Sequence, residues 1–303
     1  MKILITGGAG FIGSHIVEYF QNKAEIVILD NLRSGNINNI KGMKYQLIEG
    51  DIRDRTTVRK AVKDIDYIFH LAAMVSVPES MDKPTECIDI NVTGTVILLE
   101  EAAKANVKKL SFSSSCSVYG NNPIIPKKEI MLPEPQSPYA ISKLDGEYYA
   151  ELFSSQKKLK TVCLRYFNVF GPRQNPNNAY AAAVPIFINK ALKHDDLTIY
   201  GDGEQTRDFV YVKDVVSANI FMIENDFSGI YNIGYGKTIT IKSLADKIIT
   251  QTGSNSRINF TSQRSGDVKH SRASIDKLLK TGFESLSSFD NALNKTIKYF
   301  KTN

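Results

Sequence analysis

Two side chains that can move a proton stand four residues apart in the segment PYAISK. At this spacing Tyr139 and Lys143 project from one face of a helix. A free phenol has a pKa of about 10, so serving as a base near neutral pH requires a pKa closer to about 7–8. An ammonium group ~5 Å away supplies roughly 3 kcal/mol, about the amount needed. The pair predicts a phenol acid/base with an electrostatic partner, although a half-buried tyrosine beside a surface lysine would also satisfy the spacing.

A run of serines follows an apolar segment in SFSSSCSVYG. Ser115 stands where the predicted fifth strand ends, and parallel α/β sheets bind ligands at the carboxyl ends of their strands. Its hydroxyl can hydrogen-bond a substrate hydroxyl while Tyr139 accepts or returns the proton. Local turn capping is the alternative for such a run.

Glycines separate the first strand from the first helix in TGGAGFIGSH. Gly7, Gly10 and Gly13 allow a tight turn, close approach to a pyrophosphate and packing of helix on strand. The N–H groups of the helix amino terminus then face the phosphates. Because strand, loop, helix and a later acidic residue occur in the required order, we predict dinucleotide binding over an unliganded turn.

The acidic residue is Asp30, which closes the second strand in EIVILDN. A carboxylate there accepts hydrogen bonds from the adenosine ribose and repels a 2′-phosphate, which favours NAD over NADP. Arg33 lies three residues on and could weaken that preference. Asp51, after the third strand, is either an adenine contact or a helix cap.

The elements that must position these residues alternate between strand and helix. This alternation predicts an α/β fold, a Rossmann-type doubly wound parallel sheet with a smaller, mostly C-terminal α/β substrate domain. A helix from Ser137 to Phe153 follows from a capping serine, Pro138 and apolar residues at helical spacing (Ile141, Leu144, Tyr148, Leu152). Another is expected near 288–301. Strands are predicted at 2–6, 25–30, 44–49, 66–71, 108–114 and 160–167.

After Gly171 the predicted loops become longer and the strand and helix patterns less regular, and this change sets the expected domain limits. We expect an NAD-binding domain at 1–170, to which the chain returns around 210–238, and a discontinuous substrate domain at 171–303.

Composition narrows the possible functions. A chain of 303 residues that is 42% hydrophobic and 23% charged can bury a full core. The net charge is +6, but lysines and arginines are interspersed with acidic residues along the whole chain. We therefore expect no nucleic-acid partner. No apolar run approaches a membrane span, and we expect a cytoplasmic protein. Three scattered cysteines, Cys87, Cys116 and Cys163, indicate reduced thiols and no metal site.

These motifs together resemble the extended short-chain dehydrogenase/reductase family, and within it the UDP-sugar 4-epimerases. The resemblance holds in order and spacing across nearly the entire chain. It rests on TGGAGFIG, HLAA at His70 to Ala73, Asn91 in NVTGT, SSSCSVYG, PYAISK, LRYFNVFGPR and GDGEQTRDFVYVKDVV.

The resemblance implies a role for each matching residue. Ser115, Tyr139 and Lys143 would be catalytic, and Asn91 the family's structural asparagine near the active site. NAD would be bound by Gly7, Gly10, Phe11, Ile12, Gly13, Asp30, Asn31, Asp51, Ile52, Leu71, Ala72, Ala73, Asn91, Tyr139 and Lys143. The UDP-sugar would contact Ser76, Ser115, Cys116, Ser117, Asn168, Ala182, Val184, Arg207, Arg264, Asp267 and Ser271. Among these, Asn168 and Arg207 would hold the diphosphate, Arg264 the nucleotide and Asp267 its ribose.

Two related reactions are disfavoured by residues near Ser115. The family's 4,6-dehydratases carry an Asp–Glu pair where this chain has Cys116 and Ser117, and its decarboxylases usually carry a glutamate where it has Val118. The resemblance therefore implies NAD-dependent 4-epimerisation through a 4-keto sugar. A nucleotide-sugar reductase or dehydrogenase with net redox, and a non-catalytic NAD-binding protein, remain as alternatives.

The resemblance also bears on the sugar and on assembly. Ser271 occupies the place of a bulky tyrosine in glucose-restricted epimerases, and Ala182 lies on the same wall, so N-acetylated UDP-hexosamines are expected as substrates beside UDP-glucose and UDP-galactose. Val75 opposes this, since it narrows the pocket from the other side. A homodimer is expected through the helices near 92–106 and 137–153, with Gly146 allowing close helix approach.

Overall fold

The computed structural model describes residues 1–157, 159–176, 182–263, 269–284 and 287–302. Its strands are β1 (Lys2–Thr6), β2 (Glu25–Asp30), β3 (Gln46–Glu49), β4 (Tyr67–His70), β5 (Lys109–Ser115), β6 (Lys160–Tyr166), β7 (Asn168–Phe170), β8 (Leu197–Tyr200), β9 (Thr206–Arg207), β10 (Phe209–Tyr211), β11 (Gly229–Ile233), β12 (Ile239–Thr240) and β13 (Ile258–Thr261). Its helices are α1 (Phe11–Phe20), α2 (Arg55–Ala61), α3 (Val77–Asp82), α4 (Pro84–Ile88), α5 (Gly94–Lys104), α6 (Pro138–Gln156), α7 (Ala183–Leu192), α8 (Val212–Glu224), α9 (Ile241–Thr252), α10 (Asp276–Leu279) and α11 (Phe289–Thr302). Short 3₁₀ turns occur at Ile37–Ile40 and Cys116–Tyr119.

A seven-stranded sheet with the order β11-β6-β5-β4-β1-β2-β3 forms the centre of the chain. The neighbouring strands from β3 through β6 in this order pair in parallel. All six predicted strands are confirmed, within two residues at each end. The order reverses between β1 and β4, and the carboxyl ends of strands at such a point form the ligand-binding crevice of open α/β sheets.

Alternate residues of the strands feed two separate apolar cores. Leu4 of β1 packs into one core, while Ile3 and Ile5 enter the other. This alternation follows from the two-residue period of a strand. Helices therefore cover both faces of the sheet, which confirms the doubly wound fold.

The helix predicted from Ser137 runs from Pro138 to Gln156, with the Ser137 side chain accepting the Ala140 N–H. An apolar stripe at this spacing usually faces the core. In α6 it faces away from the core instead. Ile141, Tyr148 and Leu152 are 46%, 58% and 43% exposed. Apart from Phe153, the residues that α6 buries are small or polar: Ala140, Ser142, Lys143, Gly146, Glu147 and Ala150.

Two compact units divide the chain. Unit 1 comprises residues 1–120, 132–166 and 216–231, and unit 2 comprises residues 121–131, 167–215 and 232–303. The stretch 121–131, placed in the first domain by the sequence analysis, is thus grouped with unit 2. Within the described ranges, no helix combines the length and apolar character that crossing a membrane requires.

Candidate active site

The three residues expected to carry chemistry come together in unit 1. Ser115 ends β5, and its hydroxyl lies close enough to the phenol of Tyr139, from the first turn of α6, to lower the pKa of that phenol. The same hydroxyl accepts the N–H of Ser117 at 3.1 Å. Lys143, one turn further along α6, is buried and donates to the Ser113 carbonyl oxygen at 2.9 Å. The strand end and the helix thus hold a hydroxyl, a phenol and an ammonium group in one place.

The electrostatics of Tyr139 differ from the sequence expectation. Burial raises the pKa of its phenol to about 12, and the neighbouring Ser115 hydroxyl only partly offsets this. The Lys143 ammonium lies 5.8 Å from the centre of the tyrosine ring and bonds a carbonyl instead. Lys143 alone therefore does not lower the phenol pKa, because desolvation is the larger effect. Burial also lowers the pKa of Lys143 to about 8, so this group stays largely protonated near neutral pH.

Gly146 faces the sheet, not another helix. A Cβ atom at this position would lie 2.2 Å from Cζ of Phe112 on β5. The expectation that Gly146 allows close helix approach is wrong, since it allows α6 to lie directly on the Phe112 ring. That ring also lies 5.2 Å from the Lys143 ammonium.

A buried ion pair connects α6 to β6, the strand that pairs with β5. Arg165 of β6 donates Nε to Glu147 Oε1 at 2.8 Å and Nη2 to Oε2 at 2.6 Å. The hydroxyl of Ser114 also donates to Glu147 Oε1. Removing one partner of such a pair typically costs ~3–5 kcal/mol because the other charge stays buried. The sequence carries one signal for it, since Glu147 lies four residues after Lys143 on the same helix face.

The glycine loop has the geometry of a pyrophosphate cradle. Gly7 has a positive φ of 72°, and a Cβ there would lie 2.8 Å from the backbone nitrogen of Ala72. A Cβ at Gly13 would lie 2.2 Å from the Gly7 carbonyl oxygen. No side chain caps α1 after Gly10, and its first turn has no acidic residue. The residues therefore fit a dinucleotide phosphate at the first-turn N–H groups, where Phe11 and Ile12 stand.

Asp30 lies at the end of β2 beside this loop. Its carboxylate accepts N–H groups of Ala9 and Leu32, both at 2.9 Å, and burial raises its pKa despite these bonds. Arg33 does not point freely toward it. Its two terminal nitrogens donate to Glu86 Oε1 at 2.7 Å and Glu79 Oε1 at 2.8 Å.

Asp51 is not a helix cap, because Asp54 caps α2. Instead Arg53 donates to both Asp51 oxygens at 2.9 Å, and these and further hydrogen bonds lower the pKa of Asp51 to about 2 although desolvation raises it. Asn31 donates to Asp51 Oδ2 at 2.9 Å. Asn31 and Asp51 thus lie together, as expected for two residues at one end of the coenzyme, while Ile52 is buried.

His70 connects β1 to the residues after β4. Its Nδ1 lies 2.7 Å from the Thr6 hydroxyl, which accepts the Ala72 N–H at 3.2 Å. Its Nε2 lies 2.9 Å from the hydroxyl of Thr95, which donates to the Asn91 carbonyl oxygen. Burial and the charge of Lys143 lower the pKa of His70 to about 3. Leu71, Ala72 and Ala73 are thereby fixed against the glycine loop.

The side chain of Asn91 is occupied by protein. It accepts the Met74 N–H at 2.7 Å and donates to the Met74 carbonyl and to Ser142. It lies in a π-helical turn, Asp89–Thr93, between α4 and α5. These contacts occupy its amide group and leave the side chain buried, and its predicted coenzyme contact stays a prediction.

Besides Ser115, three of the expected substrate residues lie in unit 1. Ser76 caps α3 by accepting the Glu79 N–H, and Ser80 on the same helix accepts the Tyr139 N–H at 3.2 Å. Cys116 follows Ser115 and is half-buried. The Ser117 hydroxyl is buried without a hydrogen-bond partner in the described part of the chain, which suits a group whose partner is a ligand.

In unit 2 the buried residue Asp208 hydrogen-bonds several backbone N–H groups and one of the expected substrate residues, Asn168. Asp208 accepts the N–H groups of Tyr235, Gly236 and Ala273 at 2.7–3.0 Å, and burial raises its pKa to about 6. Asn168 donates both its N–H and its side-chain amide to the Asp208 carbonyl. Asp208 itself was not expected from the sequence, where its one signal is an acid within the run RDFVYV.

The remaining substrate candidates have varied surroundings. Arg207 follows Thr206, whose carbonyl oxygen accepts the Ser271 N–H at 3.2 Å, so Arg207 and Ser271 are near each other. Ala182 is exposed and precedes α7, whereas Val184 is fully buried within it. Arg264 and Asp267 lie outside the described residues.

Comparisons with known proteins agree with this geometry. Residues 3–234 match the NAD dependent epimerase/dehydratase family. UDP-glucose 4-epimerase of Mycolicibacterium smegmatis is 35% identical over 312 residues, which covers 99% of each chain. A structure of UDP-N-acetylglucosamine 4-epimerase from Methanobrevibacter ruminantium, in complex with UDP-N-acetylmuramic acid, is 41% identical with a TM-score of 0.97 and covers 99% of this chain and 98% of that one. UDP-glucose 4-epimerase from Thermotoga maritima, with UDP-glucose, is 38% identical with a TM-score of 0.96 and covers 100% and 99%.

Proposed function

This chain belongs to the NAD dependent epimerase/dehydratase family, and we propose that it is a 4-epimerase of UDP-hexoses, N-acetylated ones included. The observation that carries the proposal is the Ser115 hydroxyl beside the Tyr139 phenol, with Lys143 buried one turn away. Relatives of matching length named as 4-epimerases support the reaction class.

The protein residues handle one proton in each direction. Tyr139 takes the proton of the sugar 4-hydroxyl and returns it to the epimeric oxygen, while Ser115 hydrogen-bonds that oxygen. When bound, NAD supplies the hydride acceptor that converts C4 to a ketone and the hydride that restores the alcohol from the other face. Because the pKa of Tyr139 is about 12 without ligands, the base form requires positive charge in the site. Lys143 retains such a charge near neutral pH, since its pKa is about 8.

Three features support tight retention of the coenzyme. The glycine loop leaves room for a pyrophosphate, Asp30 ends β2, and the His70 hydrogen bonds fix Ala72 against Gly7. A 4-epimerase regenerates its coenzyme in each turnover, so retention favours the reaction. Net redox chemistry would instead require exchange after every cycle.

The sugar preference is proposed from small side chains. Ser271 and Ala182 leave space that a tyrosine would fill, and a methanogen relative is named a UDP-N-acetylglucosamine 4-epimerase. Asn168, Arg207, Arg264 and Asp267 are proposed to hold the nucleotide diphosphate, as the family resemblance implies. Guanidinium groups bind phosphate oxygens in bidentate fashion, which suits such an anchor.

One assay tests the function. The protein is incubated separately with UDP-glucose and UDP-N-acetylglucosamine, and each 4-epimer is sought by chromatography and NMR. Formation of both epimers without stoichiometric consumption of NAD(H) is the expected result. Consumption of NAD(H) in proportion to product would identify a reductase or dehydrogenase instead, and no turnover of either sugar would contradict the proposal.

The outward apolar stripe of α6 supports a homodimer. Ile141, Tyr148 and Leu152 are exposed on one helix face, and exposed Met81 and Ile88 lie on neighbouring short helices of unit 1. We propose that α5 and α6 pack against the same helices of a second copy. Sedimentation should give a dimer for the wild type and a monomer for Tyr148→Glu combined with Leu152→Glu; a monomeric wild type would contradict this.

A further inference from the structure

We propose that Glu79 and Glu86 determine coenzyme selectivity by holding Arg33 away from the adenosine 2′ position. This inference rests on NAD being the coenzyme and not on the epimerase reaction. An arginine shortly after the ribose-binding acid is the group with which related dinucleotide sites accept the 2′-phosphate of NADP. Arg33 stands three residues after Asp30 and would fill that role if it were free.

Both terminal nitrogens of the Arg33 guanidinium group donate hydrogen bonds to glutamates. Nη1 donates to Glu86 on α4 and Nη2 donates to Glu79 on α3. All three side chains are about one third exposed, so a phosphate in solution could reach them. The other oxygen of Glu86, Oε2, lies 3.8 Å from the Lys83 ammonium, while its Oε1 accepts from Arg33.

Charge explains why this arrangement disfavours NADP. Arg33 pairs with the carboxylates of Glu79 and Glu86, and a 2′-phosphate adds roughly two more negative charges. Neutralising Glu79 and Glu86 would release the guanidinium from both ion pairs and remove two negative charges. Because partly exposed charges remain screened, we expect NADP affinity to rise about tenfold, with NAD affinity changing less than about threefold.

The backbone around Arg33 limits the positions that its side chain can take, in addition to the bonds from Glu79 and Glu86. Its backbone N–H donates to the Asn31 side chain, and Leu32 before it has a positive φ of 57°. The arginine therefore begins from a fixed turn, and the two glutamates fix its far end. Neither helix that carries them belongs to the β2 turn, so the strand-end motif alone does not reveal them.

The test compares dinucleotide binding by titration calorimetry on full-length protein freed of bound dinucleotide. The variant is Glu79→Gln with Glu86→Gln, and a third change, Arg33→Ala, is added to it. A matched control, Glu25→Gln with Glu100→Gln, alters the net charge equally. Its residues pair with Lys2 and Arg55, and Glu25 begins β2 at the end opposite Asp30.

The expected result is a roughly tenfold rise in the NADP-to-NAD affinity ratio for the double variant, absent from the control and abolished by Arg33→Ala. An unchanged ratio, an equal rise in the control, or a rise that survives Arg33→Ala would each overturn the proposal. A wild type that binds neither dinucleotide would overturn the coenzyme assignment together with it. Intact NAD binding with an unchanged ratio would overturn only the role of the two glutamates.

Discussion

Replacing Gly146 with alanine should disturb catalysis from a position that touches neither substrate nor coenzyme. The added Cβ would lie 2.2 Å from Cζ of Phe112 and 2.8 Å from Cε1, whereas ordinary contacts begin at 3.4 Å. Helix and ring must therefore separate by about 1.2 Å. The ring cannot turn away, because it is buried between His70, whose ring centre is 5.7 Å distant, and the Lys143 ammonium.

Two opposing terms set the stability change. Alanine in a helix interior gains about 1 kcal/mol over glycine, while overpacking a core costs ~1–3 kcal/mol. We expect a net loss of up to about 2 kcal/mol. Activity should fall more steeply, because α6 carries Tyr139 and β5 carries Ser115, and a misplacement of about 1 Å can cost ~10²-fold in rate.

Turnover of UDP-glucose and thermal unfolding are measured for Gly146→Ala, for Phe112→Leu and for both together. Leucine lacks Cζ, so the double variant should recover most of the activity that Gly146→Ala loses, although Phe112→Leu has a packing cost of its own. Turnover by Gly146→Ala above about a third of the wild-type rate, or a double variant no better than Gly146→Ala, would refute the steric explanation.

Three further outcomes are expected. Tyr139→Phe should reduce turnover to below about a hundredth while calorimetry still shows NAD binding, because only the ionisable oxygen is lost; faster epimerisation would refute the acid/base role. Arg53→Gln should lower Tm near neutral pH, and its difference from wild type should shrink as pH falls from about 4 toward 2. The pKa of Asp51 is held at about 2 by Arg53, so the stabilisation is complete above the ordinary carboxyl pKa and is lost as pH falls toward the folded pKa; a difference independent of pH would contradict this. Ser271→Tyr should impair turnover of UDP-N-acetylglucosamine far more than that of UDP-glucose, and equal losses would argue against the pocket proposal.

Local pattern was sufficient for much of the fold and for bringing together the candidate residues Ser115, Tyr139 and Lys143. The strands were predicted because parallel strands buried on both faces are continuous apolar runs, and Ser115 and Tyr139 follow from the place where a strand ends and a helix begins. The Gly7 and Gly13 positions follow equally from what a tight phosphate turn requires.

Contacts between distant segments could not be predicted in this way. The Arg33 pairs join residues more than forty positions apart, and the Asp208 hydrogen bonds span 27 to 65 positions. The phenol pKa was missed for a related reason, since spacing gives the distance to a charge but not the extent of burial. The direction of the α6 stripe also depends on which neighbours cover it.

The hydrogen bonds around His70 fix where every proton sits. The Asn91 carbonyl can only accept, so Thr95 donates to it and must accept from Nε2–H of the imidazole. A neutral ring then leaves Nδ1 as an acceptor for Thr6. Histidine is ordinarily the side chain through which a protein senses mild acid, yet here a pKa of about 3 removes it from that role. This edge of the sheet thus keeps one His70 tautomer through mildly acidic conditions, whereas burial raises the pKa of the neighbouring Asp30 carboxyl toward that range.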